Sequence, residues 1–158
     1  MALPPKIESR IGVRAPAHVV WDAISEVGDW PSWNPLYPRA EGALRIGEKL
    51  KLTLALPGEP ERELAVPIVD WVPNEQILWS DTLARGWVKT LRYIEIEALT
   101  EESCIFSNGE QFQGLIVQYY MTKARRRLYR TAFETLCETV REQRYLAERI
   151  AQEVQQVA

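Results

Sequence analysis

The sequence predicts an α+β fold, an antiparallel meander of about six or seven strands accompanied by one long C-terminal helix. Three observations carry this prediction. Between Lys49 and Phe112, runs of residues alternate apolar with polar, the period of a strand that buries one face. The breaks between these runs, Pro57-Gly58-Glu59-Pro60, Pro73-Asn74-Glu75 and Thr100-Glu101-Glu102, are short turn clusters that suit antiparallel neighbours. After Gly114 neither Gly nor Pro occurs again, and Leu115, Tyr119, Leu128, Phe133, Leu136 and Val140 recur near helical spacing among helix-forming residues.

Taken in order, Ile7, Ser9, Ile11 and Val13 share one parity from Lys6 to Val13 and read as a first strand, which ends at Arg14-Ala15. Pro16 suits the first turn of a helix. Val19, Val20, Ala23, Ile24 and Val27 follow at helical spacing up to Gly28, giving a helix of roughly a dozen residues. Next comes Trp30-Pro31-Ser32-Trp33-Asn34-Pro35. Each proline removes a backbone donor and restricts its predecessor, so this segment is expected to be neither an ordinary helix nor a strand but a tight, ordered cap. Two indole rings in such a cap need something to pack on.

Leu50, Leu52, Leu54 and Leu56 then alternate with Lys49, Lys51, Thr53 and Ala55. The run from Arg62 to Val72 puts Leu64, Val66 and Ile68 on one face, and its internal Pro67 predicts an edge or a bulge because it costs a ladder bond. Ile77-Leu78-Trp79 is a short strand. From Trp87 to Ala98 the even positions, including Val88, Thr90, Arg92, Ile94 and Ile96, read inward, which sets Arg92 among apolar neighbours. The return strand carries Cys104, Phe106, Asn108, Glu110 and Phe112 at one parity. If Ile96 faces Phe106, antiparallel counting sets Arg92 opposite Glu110 and predicts a buried charged pair. The last helix would run to about forty residues if unbroken, with residues 146–158 projecting or frayed.

A chain of 158 residues, 46% of them hydrophobic, can bury a core as one domain spanning 1–158. The net charge of -3 gives no overall drive toward nucleic acid or anionic lipid. MALPPKIESR lacks the apolar run of a signal peptide, and no stretch of about twenty apolar residues occurs, so a cytoplasmic protein without stable membrane insertion is expected. Two cysteines, no CxxC and a single histidine leave a zinc site or a disulfide scaffold without its ligands; neither metal nor cofactor is expected, and the thiols read as reduced and inert. A Ser-His-Asp arrangement and a Gly-rich phosphate loop are also missing. His18, Asp22, Glu26 and Asp29 fall on the wet side or the end of the first helix. Lys123-Ala124-Arg125-Arg126-Arg127-Leu128-Tyr129-Arg130 concentrates positive charge, yet consecutive helical positions point in different directions, and Glu134 and Glu138 follow downstream. The run is read as a solvated helix surface in preference to a site for phosphate, membrane or RNA.

At the residue level the chain resembles the START-like superfamily, in particular its polyketide cyclase/dehydrase-like branch, often called SRPBCC. The resemblance rests on Ala15-Pro16-Ala17 with Val20-Trp21, the Trp30-to-Pro35 cap, Gly47 with the alternating leucines, Pro73 followed by Leu78-Trp79, and Glu110-Gln111-Phe112-Gln113-Gly114 before the last helix. It covers nearly the whole chain and is more specific for fold than for function. It implies the helix-grip fold, a curved antiparallel sheet wrapped around the terminal helix, with an elongated apolar cavity between them. It also implies lipid, sterol, polyketide, aromatic or hormone ligands, and in some members cyclisation or dehydration. Many relatives have a His on the penultimate strand where this chain has Arg92, a side chain that stays protonated and serves poorly as a base.

Arg92 and Glu110 are the candidate catalytic residues, and each has two readings. An inward Arg92 would hold a ligand carboxylate or enolate by a planar two-pronged contact, or the pair satisfies itself. Trp33, Asn34, Trp79 and Trp87 are candidate ligand-binding residues at a pocket mouth, against a packing role for each; Trp30 and Trp71 read as packing. Asn34 either meets a ligand or caps its local turn. Asn108 and Phe112 complete the expected ligand-binding set. The functional expectation is a binding or carrier protein for a small hydrophobic or amphipathic molecule, with no nucleic-acid partner. A cyclase- or dehydratase-like enzyme using Arg92 and Glu110 is one alternative, and a protein-partner module is another.

Overall fold

A computed structural model describes the backbone of residues 5–157 and the side chains of residues 5–142, 155 and 156. Seven strands form one antiparallel sheet: β1 (Lys6–Val13), β2 (Arg39–Glu41), β3 (Lys49–Leu54), β4 (Arg62–Val72), β5 (Gln76–Leu83), β6 (Val88–Thr100) and β7 (Ser103–Gln113). Their order is β1-β7-β6-β5-β4-β3-β2, so consecutive strands from β2 to β7 are neighbours and β1 closes the far side. Between β1 and β2 lie α1 (Ala17–Ser25), a 3-10 turn (Val27–Asp29) and the single-turn α2 (Trp30–Trp33). After β7 come the single-turn α3 (Val117–Tyr120) and α4 (Lys123–Val157), which packs against β1 and β7.

The alternation that predicts the strands also decides which face is buried. On β6, Val88, Thr90, Arg92, Ile94 and Ile96 are buried; on β7, Cys104, Phe106, Asn108, Glu110 and Phe112 are buried. Ile96 faces Phe106 and Arg92 faces Glu110, the register obtained by counting. Tyr129, Phe133, Leu136 and Val140 of α4 press into this face. Trp30, Trp79, Phe106, Phe112 and Phe133 are the largest side chains wholly removed from water there.

Four local features differ from the sequence reading. The Trp30–Trp33 segment is one helical turn, because Pro31 sits at its start, where a missing N–H costs nothing. β5 runs on through Ser80-Asp81-Thr82 to Leu83, its polar residues held by the ladder to β6. β4 is an interior strand and not an edge; Pro67 lies opposite Lys49 at the last rung of the β3 pairing, and the bulge offered as the alternative corresponds to the register shift that follows between Ile68 and Asp70. The terminal helix is not continuous from Gly114. Met121 turns inward to the core, and the Thr122 hydroxyl accepts the Arg125 N–H at 3.2 Å, capping a new helix that begins at Lys123. Leu115 and Tyr119, read as part of the helix's apolar stripe, are exposed in the connection instead. The expected projection of residues 146–158 concerns side chains that lie mostly outside the described residues.

Two glycines are required by what surrounds them. A side chain at Gly109 would collide with the Tyr93 phenol and the Ile7 carbonyl, and this close approach lets the Tyr93 hydroxyl donate to Glu8 across the sheet. Gly114 combines a φ of +143 with a backbone contact to the Trp87 carbonyl, which ends β7 and starts the connection to α4.

Candidate functional site

Arg92 is delivered to the interior by the parity of β6 and is only 3% exposed. A buried guanidinium must find acceptors, and three hydrogen bonds supply them. Nη1 donates to the carbonyl oxygens of Tyr93 at 2.9 Å and Gly109 at 3.0 Å, and Nη2 donates to Asn108 Oδ1 at 3.0 Å. Asn108 is itself fully used: its Nδ2 donates to the Phe133 carbonyl at 3.1 Å and to Cys137 Sγ at 3.2 Å, tying β7 to α4. The guanidinium carbon sits 4.3 Å from the centroid of the Phe133 ring and 5.6 Å from that of Trp79.

Glu110 stands opposite Arg92 in the ladder and is 8% exposed, yet the expected buried pair is not an ion pair; the ion pairs among the described residues are Lys6–Glu8, Arg10–Glu97 and Arg62–Asp81. The physical reason is the direction of the guanidinium, which turns Nη1 onto backbone carbonyls and Nη2 onto Asn108. Burial pushes the Glu110 carboxyl above its usual range, with the nearby Arg92 charge opposing the shift. Burial likewise raises the Tyr37 phenol, again opposed by Arg92. The Thr90 hydroxyl, on the same face, is buried and has no hydrogen-bond partner among the described residues.

Arg92, Glu110 and Tyr37 border a small chamber. Its cavity volume is about 20 Å³, room for roughly one water. Tyr37, Trp79, Asp81, Arg92, Glu110 and Phe133 form its inner wall. Leu54, Leu56, Arg62 and Tyr129 line the chamber and also a surface groove of about 310 Å³, which continues past Glu59, Pro60, Glu61, Leu83, Tyr120, Arg125 and Leu128. The first four side chains form the wall the two spaces share. Arg62 is held there by Asp81 at 2.8 Å, and Tyr129 by edge-on contact with Phe112, centroid to centroid 5.2 Å. The elongated cavity expected between sheet and helix is filled: Trp79, Tyr129 and Phe133 occupy the space, leaving the chamber inside and the groove outside.

Of the residues singled out in the sequence, Arg92, Glu110 and Trp79 meet at the chamber. Asn108 and Phe112 lie directly behind it, Asn108 as the clamp on Arg92 and Phe112 as the support of Tyr129. Asn34 caps its own turn, its Oδ1 accepting the Leu36 N–H at 3.0 Å. Trp33 packs against the core and borders neither chamber nor groove. Trp87 is 57% exposed and also borders neither. The residues not singled out include Tyr37, Arg62, Asp81 and Tyr129, together with Leu54 and Leu56, which appear in the sequence only as alternating strand residues. Tyr129 carries a signal that was available, since it precedes Phe133 by one helical turn. No group of three or more His, Cys, Asp or Glu suited to a metal occurs among the described residues.

This arrangement of sheet, short helices and terminal helix is the START-like fold. Among solved structures, a START superfamily protein from Mycobacterium smegmatis superposes with a TM-score of 0.71 at 15% identity, covering 89% of this chain and 97% of its own. A protein from Thermus thermophilus gives a TM-score of 0.70 at 12% identity, covering 90% and 99%. The di-domain ARO/CYC StfQ from the steffimycin biosynthetic pathway gives 0.68 at 14% identity; 95% of this chain matches 52% of that one, about one half of the di-domain. No protein-family model and no curated protein matches the sequence.

Proposed function

We propose that this protein binds a small amphipathic molecule, of lipid, polyketide or aromatic type, with its apolar body in the groove and one polar atom in the chamber. The observation that carries the reading is the shared wall: Leu54, Leu56, Arg62 and Tyr129 line both spaces, so only these side chains stand between a molecule in the groove and the chamber in front of Arg92. The groove's volume of about 310 Å³ is at the lower end of ordinary ligand sites, and the chamber's 20 Å³ accepts a single oxygen atom in place of a water. Arg92 spends three of its five N–H groups on Tyr93, Gly109 and Asn108, which leaves two for a guest oxygen. Glu110, with its raised carboxyl, can donate to that oxygen when protonated or accept from a hydroxyl when ionised.

Binding without chemistry is favoured over cyclisation or dehydration by the same volumes. A substrate carbon must reach within hydrogen-bond distance of a proton-transferring Glu110, and the chamber beside it holds no more than one water-sized group. The test is native mass spectrometry of the purified protein, followed by calorimetric titration with decanoate and 2-naphthol. A co-purifying small molecule, or saturable one-to-one binding of either compound, supports the reading. Absence of both, at concentrations up to about 1 mM, the weak end of specific affinities, would remove it.

A further inference from the structure

One end of the molecule combines exposed apolar side chains with unneutralised positive charge. Leu115 is 83% exposed, Tyr119 75% and Trp87 57%, and they come from two segments that touch where Gly114 meets the Trp87 carbonyl. Three exposed large apolar side chains on two touching segments suit a surface that something covers. Directly beside them α4 begins. Lys123, Arg126, Arg127 and Arg130 are all exposed and stand at positions i, i+3, i+4 and i+7, so they form one stripe along the helix. The expectation that the charges of this run share no face holds only for adjacent residues. None of the four is in an ion pair among the described residues, and Glu134, one turn downstream of Arg130, forms no ion pair with it. Arg126 is fixed to the junction by its Nε donating to the Met121 carbonyl at 3.1 Å, and Arg125 lies 3.9 Å over the ring of Tyr120. From Gln111 to Phe133 the sequence contains no acidic residue, although the whole chain has a net charge of -3.

We propose that this end is a docking surface for an anionic phospholipid bilayer, with Trp87, Leu115 and Tyr119 entering the interfacial layer and the basic stripe lying against headgroups. The chemistry selects this occupant over others. Trp and Tyr prefer the headgroup level, and Leu gains from hydrocarbon what it cannot gain from phosphate. A second copy of the chain, docked about a two-fold axis, would bring two basic surfaces together. A single-stranded nucleic acid calls for a groove of aromatic faces, whereas the most exposed residue here is aliphatic. No helix among the described residues is long and apolar enough to cross a membrane, so the contact is peripheral. The proposal stands apart from ligand binding, although Tyr120 and Arg125 on the groove rim place that groove beside the docked face.

The test is co-sedimentation with vesicles of phosphatidylcholine alone and of phosphatidylcholine with about one third phosphatidylglycerol, in low and high salt. Binding is expected to the anionic vesicles only and to weaken as salt rises. Arg127→Gln and Arg130→Gln should each weaken it about fivefold, and Leu115→Ser about tenfold or more, with circular dichroism unchanged because all three side chains are exposed. Wild-type protein that ignores both vesicle types overturns the proposal. So does vesicle binding that all three variants retain in full, binding to a homopolymer RNA in place of vesicles, or dimerisation in solution that Leu115→Ser abolishes.

Discussion

Asn108→Ala probes the Arg92 site without touching the groove. Asn108 accepts one hydrogen bond from a guanidinium at 3.0 Å and donates one to the Phe133 carbonyl at 3.1 Å and one to the Cys137 sulfur at 3.2 Å. A hydrogen bond to a buried charge is worth about 1.5–3 kcal/mol and a neutral one about 1 kcal/mol, with the sulfur contact adding less. The loss is therefore about 3 kcal/mol, at the upper side of ordinary single substitutions. In urea denaturation, with a slope near 2 kcal/mol per molar, the midpoint should fall by about 1.5 M with the slope unchanged. A fall smaller than about 0.5 M would refute the reasoning. It would mean that the Arg92 charge is satisfied without Asn108 and that the tie between β7 and α4 contributes little.

Gly109→Ala should be still more damaging, because its Cβ must displace the Tyr93 ring or the β1 backbone at Ile7; loss of the folded baseline or a drop of more than about 3 kcal/mol in denaturant titrations is expected, against near-wild-type stability if the sheet can part there. Glu110 gives a pH dependence with a definite sign. Its carboxyl is raised above the ordinary 4.5, so the folded state holds a proton that the unfolded state releases, and its contribution to stability is present below that value and is lost as pH rises above it. Relative to Glu110→Gln, the wild type should therefore lose stability as pH increases from about 4.5; a gap between the two proteins that stays constant or moves the opposite way contradicts the assignment. Thr122→Ala removes the cap of α4 and should cost about 1 kcal/mol, seen as a lower thermal midpoint, while a neutral result would show that Met121 alone sets the helix start.

The sheet was legible in the sequence because its information is one-dimensional. Alternation places Ile96, Phe106, Arg92 and Glu110 on the inner face, and counting from one pair gives the register of the others. The fate of Arg92 was not legible by the same route. Register says which residues oppose each other, but the guanidinium chooses among carbonyls, Asn108 and Glu110 by rotamer and desolvation, and it takes the first two. Helix breaks behave likewise: Met121 ends α3 through its burial, and the Thr122 cap becomes decisive only once that burial bends the chain. The cavity was least legible of all. Whether Tyr129 and Phe133 line a void or fill it depends on volumes summed across β6, β7 and α4, which no pattern within one segment carries. The cap at Trp30–Trp33 was legible as ordered and aromatic, but its direction was not: Trp30 goes to the core, donating its indole N–H to the Ile24 carbonyl at 2.8 Å, and Trp33 stays away from the groove.

The central claim is that an amphipathic molecule in the groove presents an oxygen to Arg92. Its most direct measurement is the calorimetric dissociation constant of decanoate for the wild type and for Arg92→Met, a variant that keeps the stem of the side chain and removes the charge. One charge-assisted hydrogen bond in a buried site predicts binding to the variant weaker by about tenfold or more, with one-to-one stoichiometry retained in the wild type. Equal affinity of the two proteins, with the variant shown to be folded, would contradict the claim and leave Arg92 a structural residue.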